Sequence, residues 1–404
     1  LNELSRNGDK PSATATNRTV AILKHHNLPP TTTFMPFRFL TNLFSRTTPP
    51  NMAAALEQAA KRLKTDITIG THNGHFHADE ALAVHMLRTH IPAYSNARLV
   101  RTRDPATLAT CHTVVDVGGE YDPATNRFDH HQRTFNTTFP GRNTKLSSAG
   151  LVYMHFGREM ISRKLGTSDH TDPTVNLVYE KLYTSFIEAL DAHDNGISVY
   201  DPAKVAEAGL EKRFSDGAFT LGAMVGRLNP NWNDDIPSDP VAAQAAEDAR
   251  FETASARIGE EFDLDLDYYT KSWLPARSVV ETAFNERKAV DPSGRILVLK
   301  GQSAPWKDHL YTLEETAPEG EKVVYVLYPE KPAPDAKWRV QCVPVTKDSF
   351  QSRKPLPEAW RGFRDEELSG ISGIPGGVFV HAAGFIGGNK SYDGALAMAK
   401  KALE

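Results

Sequence analysis

Cysteine is nearly missing: Cys111 and Cys342 are the only two in 404 residues. That excludes a disulfide framework and a cysteine-rich zinc finger, and it fits a reducing compartment. No apolar run approaches the length of a membrane span, so no membrane partner is expected. Excess positive charge is absent too. The formal net charge is −4, which leaves no global basic field, so a nucleic-acid substrate would have to be held by a local patch or by bound metal. Several catalytic signatures are missing. There is no H-E-x-x-H of a zincin. His77-Ala78-Asp79-Glu80 lacks the Pro-Cys-x-x-Cys partner of the zinc deaminases. In Gly384-Phe385-Ile386-Gly387-Gly388-Asn389-Lys390-Ser391, Asn389 separates glycine from lysine, so no ATP-binding loop is assigned. No Ser/His/Asp elbow and no internal repeat is visible.

What is present is ordinary in bulk: 40% hydrophobic and 24% charged residues, as in a globular protein, with length enough for two domains. The chain opens on Leu1, and residues 1–34 are polar, which reads as disorder or as a gene-model extension. From Met35 the text holds Arg38 and Arg46, hydroxyls, a Phe/Leu set and no acid. Such composition suits either a mitochondrial presequence or a generic flexible tail, and Met52 offers a second start. Lys61-Arg62-Leu63-Lys64 reads as a solvated basic face.

Residues 65–71 alternate and end in glycine and threonine, which predicts a strand; a helix is expected over 78–91. Residues 113–119 repeat the design: a short apolar strand, a carboxylate, then glycines. Asn126 to Phe128 is a brief extended piece. A helix begins at Ser147 or Ser148, and a long one runs from Val175 to Asp194, stopped by Gly196. Residues 229–240 are a loop or linker, and 241–269 a helix that is either a surface element or a connector. Strand-like runs at 295–300, 322–328 and 337–345 precede the glycine-rich stretch 376–390 and a closing helix at 391–403. The order predicts an α/β architecture: an extension at 1–64, a parallel-sheet domain at 65–230, a helical connector at 231–290 and a smaller α/β domain at 291–404.

The chemistry concentrates in two stretches. His72-Asn73-Gly74-His75-Phe76-His77-Ala78-Asp79-Glu80 packs three histidines and two carboxylates, and Asp129-His130-His131 adds more. Imidazole with carboxylate suits Mn, Zn, Fe or Co. His72, His77, Asp79, Asp116, His130 and Asp191 all fall at or just past the ends of predicted elements, where open α/β sheets place their sites. Two ions roughly 3.5–4 Å apart can share a hydroxide nucleophile, and Asp116 and Asp191 are natural bridging ligands. His131, beside a ligand, suits contact with a scissile phosphate or a leaving oxygen. The expectation is a metal-dependent hydrolase, with His131 and Asp116 as its catalytic residues.

Asp129-His130-His131, with Asp116 upstream and Asp191 downstream, resembles the DHH phosphoesterase superfamily, which includes RecJ-type nucleases and family II inorganic pyrophosphatases. More closely, THNGHFHADEALA, VVDVGG, FDHHQ, LSSAGLVY, ALDAHDNGI and GGVFVHAAGFIGGNKSYDGAL are similar to the Myg family, from about residue 66 to the C-terminus. The resemblance implies a DHH-like parallel-sheet domain and two divalent ions, Mn2+ first, with Mg2+, Zn2+ or Co2+ as alternatives. One ion would use His72, His77, Asp116 and Asp191, the other Asp79, Asp116, His130 and Asp191; Asp194 could stand in for Asp191. It implies a 3′–5′ exonuclease on single-stranded RNA in mitochondrion and nucleus or cytoplasm. His381, Gly387, Gly388 and Lys390 resemble the substrate-binding segment that closes over the metals. A glycine-rich turn opening a helix would offer N–H groups to a phosphate, against the alternative of an ordinary tight turn. Lys300, Trp306 and Lys307 are candidates for a further stacking and phosphate surface. Two other readings stand beside this one: a small-molecule phosphohydrolase acting on pyrophosphate or a dinucleotide, and a metal-stabilised regulatory protein without turnover.

Overall fold

A computed structural model describes residues 67–404 apart from Thr316, so the extension read at 1–64 lies outside the described residues. The first sheet has five strands in the order β2-β1-β3-β5-β4. They are β1 (Thr68–Thr71), β2 (Arg98–Arg101), β3 (Thr113–Val115), β4 (Tyr121–Asp122) and β5 (Arg127–Phe128). β1 runs parallel to β2 and β3, and β3 parallel to β5; only β4 is antiparallel. The adjacent strands β1, β3 and β5 therefore all end at one edge, which is what a site built from strand ends requires. Every residue of β1 is buried, as a central parallel strand demands. Gly70 is glycine because a Cβ there would stand 3.0 Å from Cys111 Sγ and from Leu108. Cys111 is a packing residue, buried and free.

Helix α1 (Ala78–His90) packs between α2 (Ser148–Leu165) and the long α6 (Pro240–Tyr268). It can be covered on two sides because its run ALAVHML carries no charge but His85. The expected single helix over 175–194 is three pieces: α3 (Pro173–Leu182), a π turn at Tyr183–Ile187 and α4 (Glu188–Asp194). A π turn widens the helix and shifts the register of the residues beyond it. Here it leaves Asp191 fully buried and brings Asp194 to the helix end. Beyond a short helix at Pro202–Glu207 lies α5 (Leu221–Gly226), and Asp239 caps α6 by accepting from the Ala242 N–H. Phe251, Ile258 and Phe262 of α6 belong to the same apolar cluster as β1 and α1, so this helix is built into the first layer system. A second π turn (Tyr269–Trp273) leads into α7 (Leu274–Val290).

The second sheet has the order β6-β7-β8-β10-β9, with β6 (Ile296–Val298), β7 (Tyr325–Pro329), β8 (Trp338–Cys342), β9 (Gly377–Val380) and β10 (Ile386–Asn389). Only β6 and β7 are parallel. The chain closes with α8 (Tyr392–Leu403). One expectation is corrected here. Gly387 and Gly388 are not in a turn that opens a helix; they lie in β10, paired to β8 on one side and β9 on the other. The ladder occupies their backbone, and closeness explains the residue type: a Cβ on Gly388 would meet the Trp338 carbonyl at 2.8 Å. Among the described residues no helix is long and apolar enough to cross a membrane.

Candidate metal centre

The three parallel strands deliver one group each. His72 follows β1, Asp116 follows β3, and Asp129-His130-His131 follows β5. Asp116 sits at φ 58, in the left-handed region that a residue with a Cβ adopts only when its surroundings hold it there. Gly118 and Gly119 then turn the chain away at φ 101 and 69. Asp129 is the organiser of this corner. Its Oδ1 accepts from the His130 N–H (2.8 Å), the His131 N–H (3.2 Å) and His131 Nδ1 (2.7 Å), and its Oδ2 accepts from the Gly119 N–H. Burial alone would raise its pKa, but these bonds from His131 and Gly119 hold it below the ordinary value.

Asp116 faces an imidazole with each oxygen. His72 Nε2 is 3.3 Å from Asp116 Oδ2 and 3.1 Å from Glu80 Oε1. His130 Nε2 is 3.2 Å from Asp116 Oδ1, 3.2 Å from Asp194 Oδ2 and 4.0 Å from Asp79 Oδ2. Three sets offer ligand atoms within 4.8 Å of one another: His72, His77, Glu80 and Asp116; His77, Asp79 and Asp194; Asp116, His130 and His131. Asp79 Oδ1, Glu80 Oε2, Asp116 Oδ1 and both ring nitrogens of His130 are buried without a hydrogen-bond partner. Buried polar atoms are ordinarily paired, so a cluster of orphans that approach without bonding geometry is how the ligands of common ions are disposed. The charges agree. Burial and then Asp79 push the Asp194 carboxyl up to about 9. Burial, opposed by His72, lifts Glu80 to about 8. Burial opposes protonation of His72 and His130, yet their carboxylate neighbours raise them to about 10 and 9. Those two imidazoles offset the burial of Asp116 and hold it near 2. Buried carboxylates short of positive charge are what a divalent cation relieves. The donor set fits such ions.

The geometry bears on the choice the sequence left open between Asp191 and Asp194. Asp191 is fully buried; its Oδ1 accepts from the Ser147 N–H (3.0 Å) and hydroxyl (2.7 Å), and its Oδ2 from the Tyr183 hydroxyl (3.0 Å). Asp194, three residues on, is the carboxylate that reaches His130. Both lie on α4, and spacing alone did not separate them. Glu80 was missed. Its Oε1 accepts from the His77 N–H at 2.8 Å, the pattern of a capping box, and the same carboxylate is buried beside His72. His77 lies at the exposed rim of the ligand sets, and His131 is 61% exposed beside the cavity.

Further side chains hold these candidate ligands. Ser148 donates its hydroxyl to Asp79 Oδ2 at 2.7 Å, while Ser147 holds Asp191, so the start of α2 fixes two carboxylates. Gly150 leaves room for Asp191, whose oxygen would stand 2.3 Å from a Cβ. Arg101, its side chain fully buried, donates to the Gly74 carbonyl (2.7 Å) and to Glu247 Oε1 (2.8 Å), and lies over the rings of Phe251 and Phe76. Asn229 brackets Phe76, accepting from its N–H (3.0 Å) and donating to its carbonyl (2.9 Å).

A cavity of about 650 Å³ opens over the ligands, lined by Asp79, Asp116, His130, His131 and Asp194 together with Lys145, His193 and residues of α5. The expected substrate residues are elsewhere. Lys300 and Lys390 line a separate cavity with Trp338 and Tyr392. Lys300 is paired with Glu286 at 2.6 Å, and His381 packs its ring on Phe385. Trp306 is a core residue, 4% exposed. Lys145 is the ammonium that the sequence reading passed over. The crowding of carboxylates gives an expected result: in EDTA, Asp194→Asn stabilises the fold by about 1–2 kcal/mol. With its pKa raised to about 9, the Asp194 carboxyl is protonated in the fold at neutral pH and ionised in the unfolded chain, so proton release favours unfolding, and asparagine removes that linkage. The same variant loses the stabilisation that Mn2+ gives the parent. A lower unfolding temperature in EDTA would sink this account.

Comparison with known proteins places these residues in a wider set. The sequence model for MYG1 exonucleases, described as an uncharacterised protein family (UPF0160), matches residues 68–403. The MYG1 exonuclease of Homo sapiens is 48% identical over 360 residues, covering 88% of this chain and 90% of the relative. That of Mus musculus is 50% identical and covers 83% and 84%. The MYG1 protein of Dictyostelium discoideum is 44% identical, covering 84% and 97%. A crystal structure of RecJ in complex with Mn2+ from Thermus thermophilus is 14% identical, covers 88% of this chain and 54% of that one, and gives a TM-score of 0.21, too low to add to the comparison.

Proposed function

The chain belongs to the MYG1 exonuclease family, and on that premise we propose that it is a metal-dependent phosphodiesterase that removes nucleotides from the 3′ end of single-stranded RNA. The observation that carries the metal-dependent part is Asp116, with one oxygen toward His72 and the other toward His130. His72, His77, Glu80 and Asp116 would hold one divalent ion, and Asp79, Asp116, His130 and Asp194 a second, Mn2+ being the first choice for such donors. When bound, two such ions supply Lewis-acid charge to a phosphate and lower the pKa of attacking water. The chain's own groups do the rest. Asp129 fixes His131 through Nδ1, which leaves Nε2 to hand a proton to the leaving oxygen. Lys145 offers its ammonium to the incoming phosphate. RNA as substrate, the 3′ polarity and a location in mitochondrion and nucleus or cytoplasm rest on the motif resemblance.

The test is a 5′-labelled single-stranded RNA incubated with the full chain and Mn2+, beside Asp79→Ala and Asp194→Ala. A ladder shortening from the 3′ end, lost in both variants, supports the reading; intact RNA, or equal loss in the variants, rejects it. Lys145→Ala is expected to raise KM about tenfold, the worth of one charge-assisted hydrogen bond, with kcat nearly kept. A kcat loss with KM unchanged would remove Lys145 from this role. A second reading has one observation in its favour: Lys145 is the sole lysine or arginine among the lining residues, which suits a small phosphate substrate. A strand contacting several phosphates loses affinity steeply with salt, and a small substrate does not.

A further inference from the structure

A second cluster of ligating side chains lies away from the cavity, where the C-terminal half of α1 meets α6. His85 Nε2 is 3.1 Å from Asp263 Oδ2, and His90 Nε2 is 2.6 Å from Asp263 Oδ1. The three donors lie within 4.8 Å of one another. The helix opposite is shaped for this. Gly259 of α6 faces the His85 ring, and a Cβ there would fall 2.0 Å from His85 Nδ1. A glycine within a 29-residue helix costs about 1 kcal/mol against alanine, so the space it leaves for the imidazole has a purpose. Both rings are 13% exposed and Asp263 is 35% exposed, so the donors are held by packing while the carboxylate side stays open to water.

We propose that His85, His90 and Asp263 form a binding site for a zinc-like divalent ion that clamps α1 to α6, separate from the ions of the cavity. Two imidazoles and one carboxylate, with water as fourth ligand, is a familiar zinc set, and nitrogen donors select Zn2+, Co2+ or Ni2+ over Mg2+. Donors around a tetrahedral ion at zinc bond lengths stand about 3.3 Å apart, close to the His85–Asp263 separation. His90, at the last turn of α1, needs only a small outward swing. Burial opposes ionisation of Asp263, but its bonds to His85 and His90 hold the carboxyl well below its ordinary range, so it is ready as an anion. Binding exchanges the two Nε2 hydrogen bonds for two lone pairs; each neutral ring shifts its proton from Nε2 to Nδ1, and a doubly protonated ring releases its Nε2 proton. Asp79 and Glu80 stand in the first turn of the same helix, so the two sites are roughly 8–16 Å apart along its axis. The ion would fasten the far end of the helix that carries those ligands.

The experiment uses the full chain stripped with EDTA, loaded with Zn2+ alone and dialysed, with zinc per chain measured by atomic emission. His85→Gln/His90→Gln removes both imidazoles. Asp263→Asn keeps the side chain's shape and its hydrogen bonding, and so stays folded where the double variant fails. The parent is expected to hold one zinc more per chain than Asp263→Asn, and the rise in unfolding temperature on adding Zn2+ is expected to shrink in that variant. Equal zinc content in the parent and Asp263→Asn would overturn the proposal and leave the cluster as a hydrogen-bonded clasp.

Discussion

Asp116→Asn is expected to lower exonuclease turnover by on the order of 10²–10³-fold or more, the scale of losing one preorganised electrostatic group at a reacting phosphate. The reason is position: Asp116 stands between His72 and His130, so one substitution weakens both ligand sets. Asparagine keeps the size and removes the charge. It also leaves His72 and His130, both raised by that carboxylate, without their main partner. A direct readout accompanies activity: the Mn2+ held per chain, measured by calorimetry, should fall for both ions together. Full turnover in Asp116→Asn, or loss of one ion with the other bound as before, would remove Asp116 from the bridging role.

The second large effect is on the frame. Arg101→Ala is expected to destabilise the chain by about 2–3 kcal/mol, because it removes a fully buried guanidinium, leaves the Gly74 carbonyl without its donor, and leaves the partly exposed Glu247 with the Gly74 N–H alone. The guanidinium also fills the space against Phe251, so packing is lost with the charge. Since Gly74 sits inside the loop that carries His72 and His77, Mn2+ affinity should fall roughly 10–100-fold, as for other residues that orient ligands. Denaturant titration in EDTA and Mn2+ calorimetry check the two parts. An unchanged midpoint would show that the loop needs no such anchor.

Much of the centre was legible in the residues. His72 comes after an alternating run, Asp116 after a short apolar run and His130 just past a brief extended piece, and candidate ligands at such places read as strand ends. What failed was decided by geometry that spacing does not encode. Asp191 and Asp194 both sit over apolar positions of one helix, so spacing left them as alternatives, and only packing shows Asp191 bonded to Ser147 and Tyr183 while Asp194 reaches His130. Glu80 was not singled out from the 72–80 stretch; its burial beside His72 is a matter of packing. Gly387 and Gly388 imitate a phosphate loop, since close backbone approach asks for glycine whether the neighbour is a phosphate or the Trp338 carbonyl.

The sequence by itself determined the class of chemistry, the parallel sheet that gathers three strand ends, and the family to which the motifs point, because hydrophobic period and ligand type are local properties. Only the tertiary structure decided that Asp194 reaches His130, that Arg101 and Asn229 hold the loop between His72 and His77 while Ser148 holds Asp79, and that Lys145 rather than Lys390 lines the cavity over these groups. Those are contacts across tens to more than a hundred residues, set by how helices pack on the sheet, and no local pattern carries them.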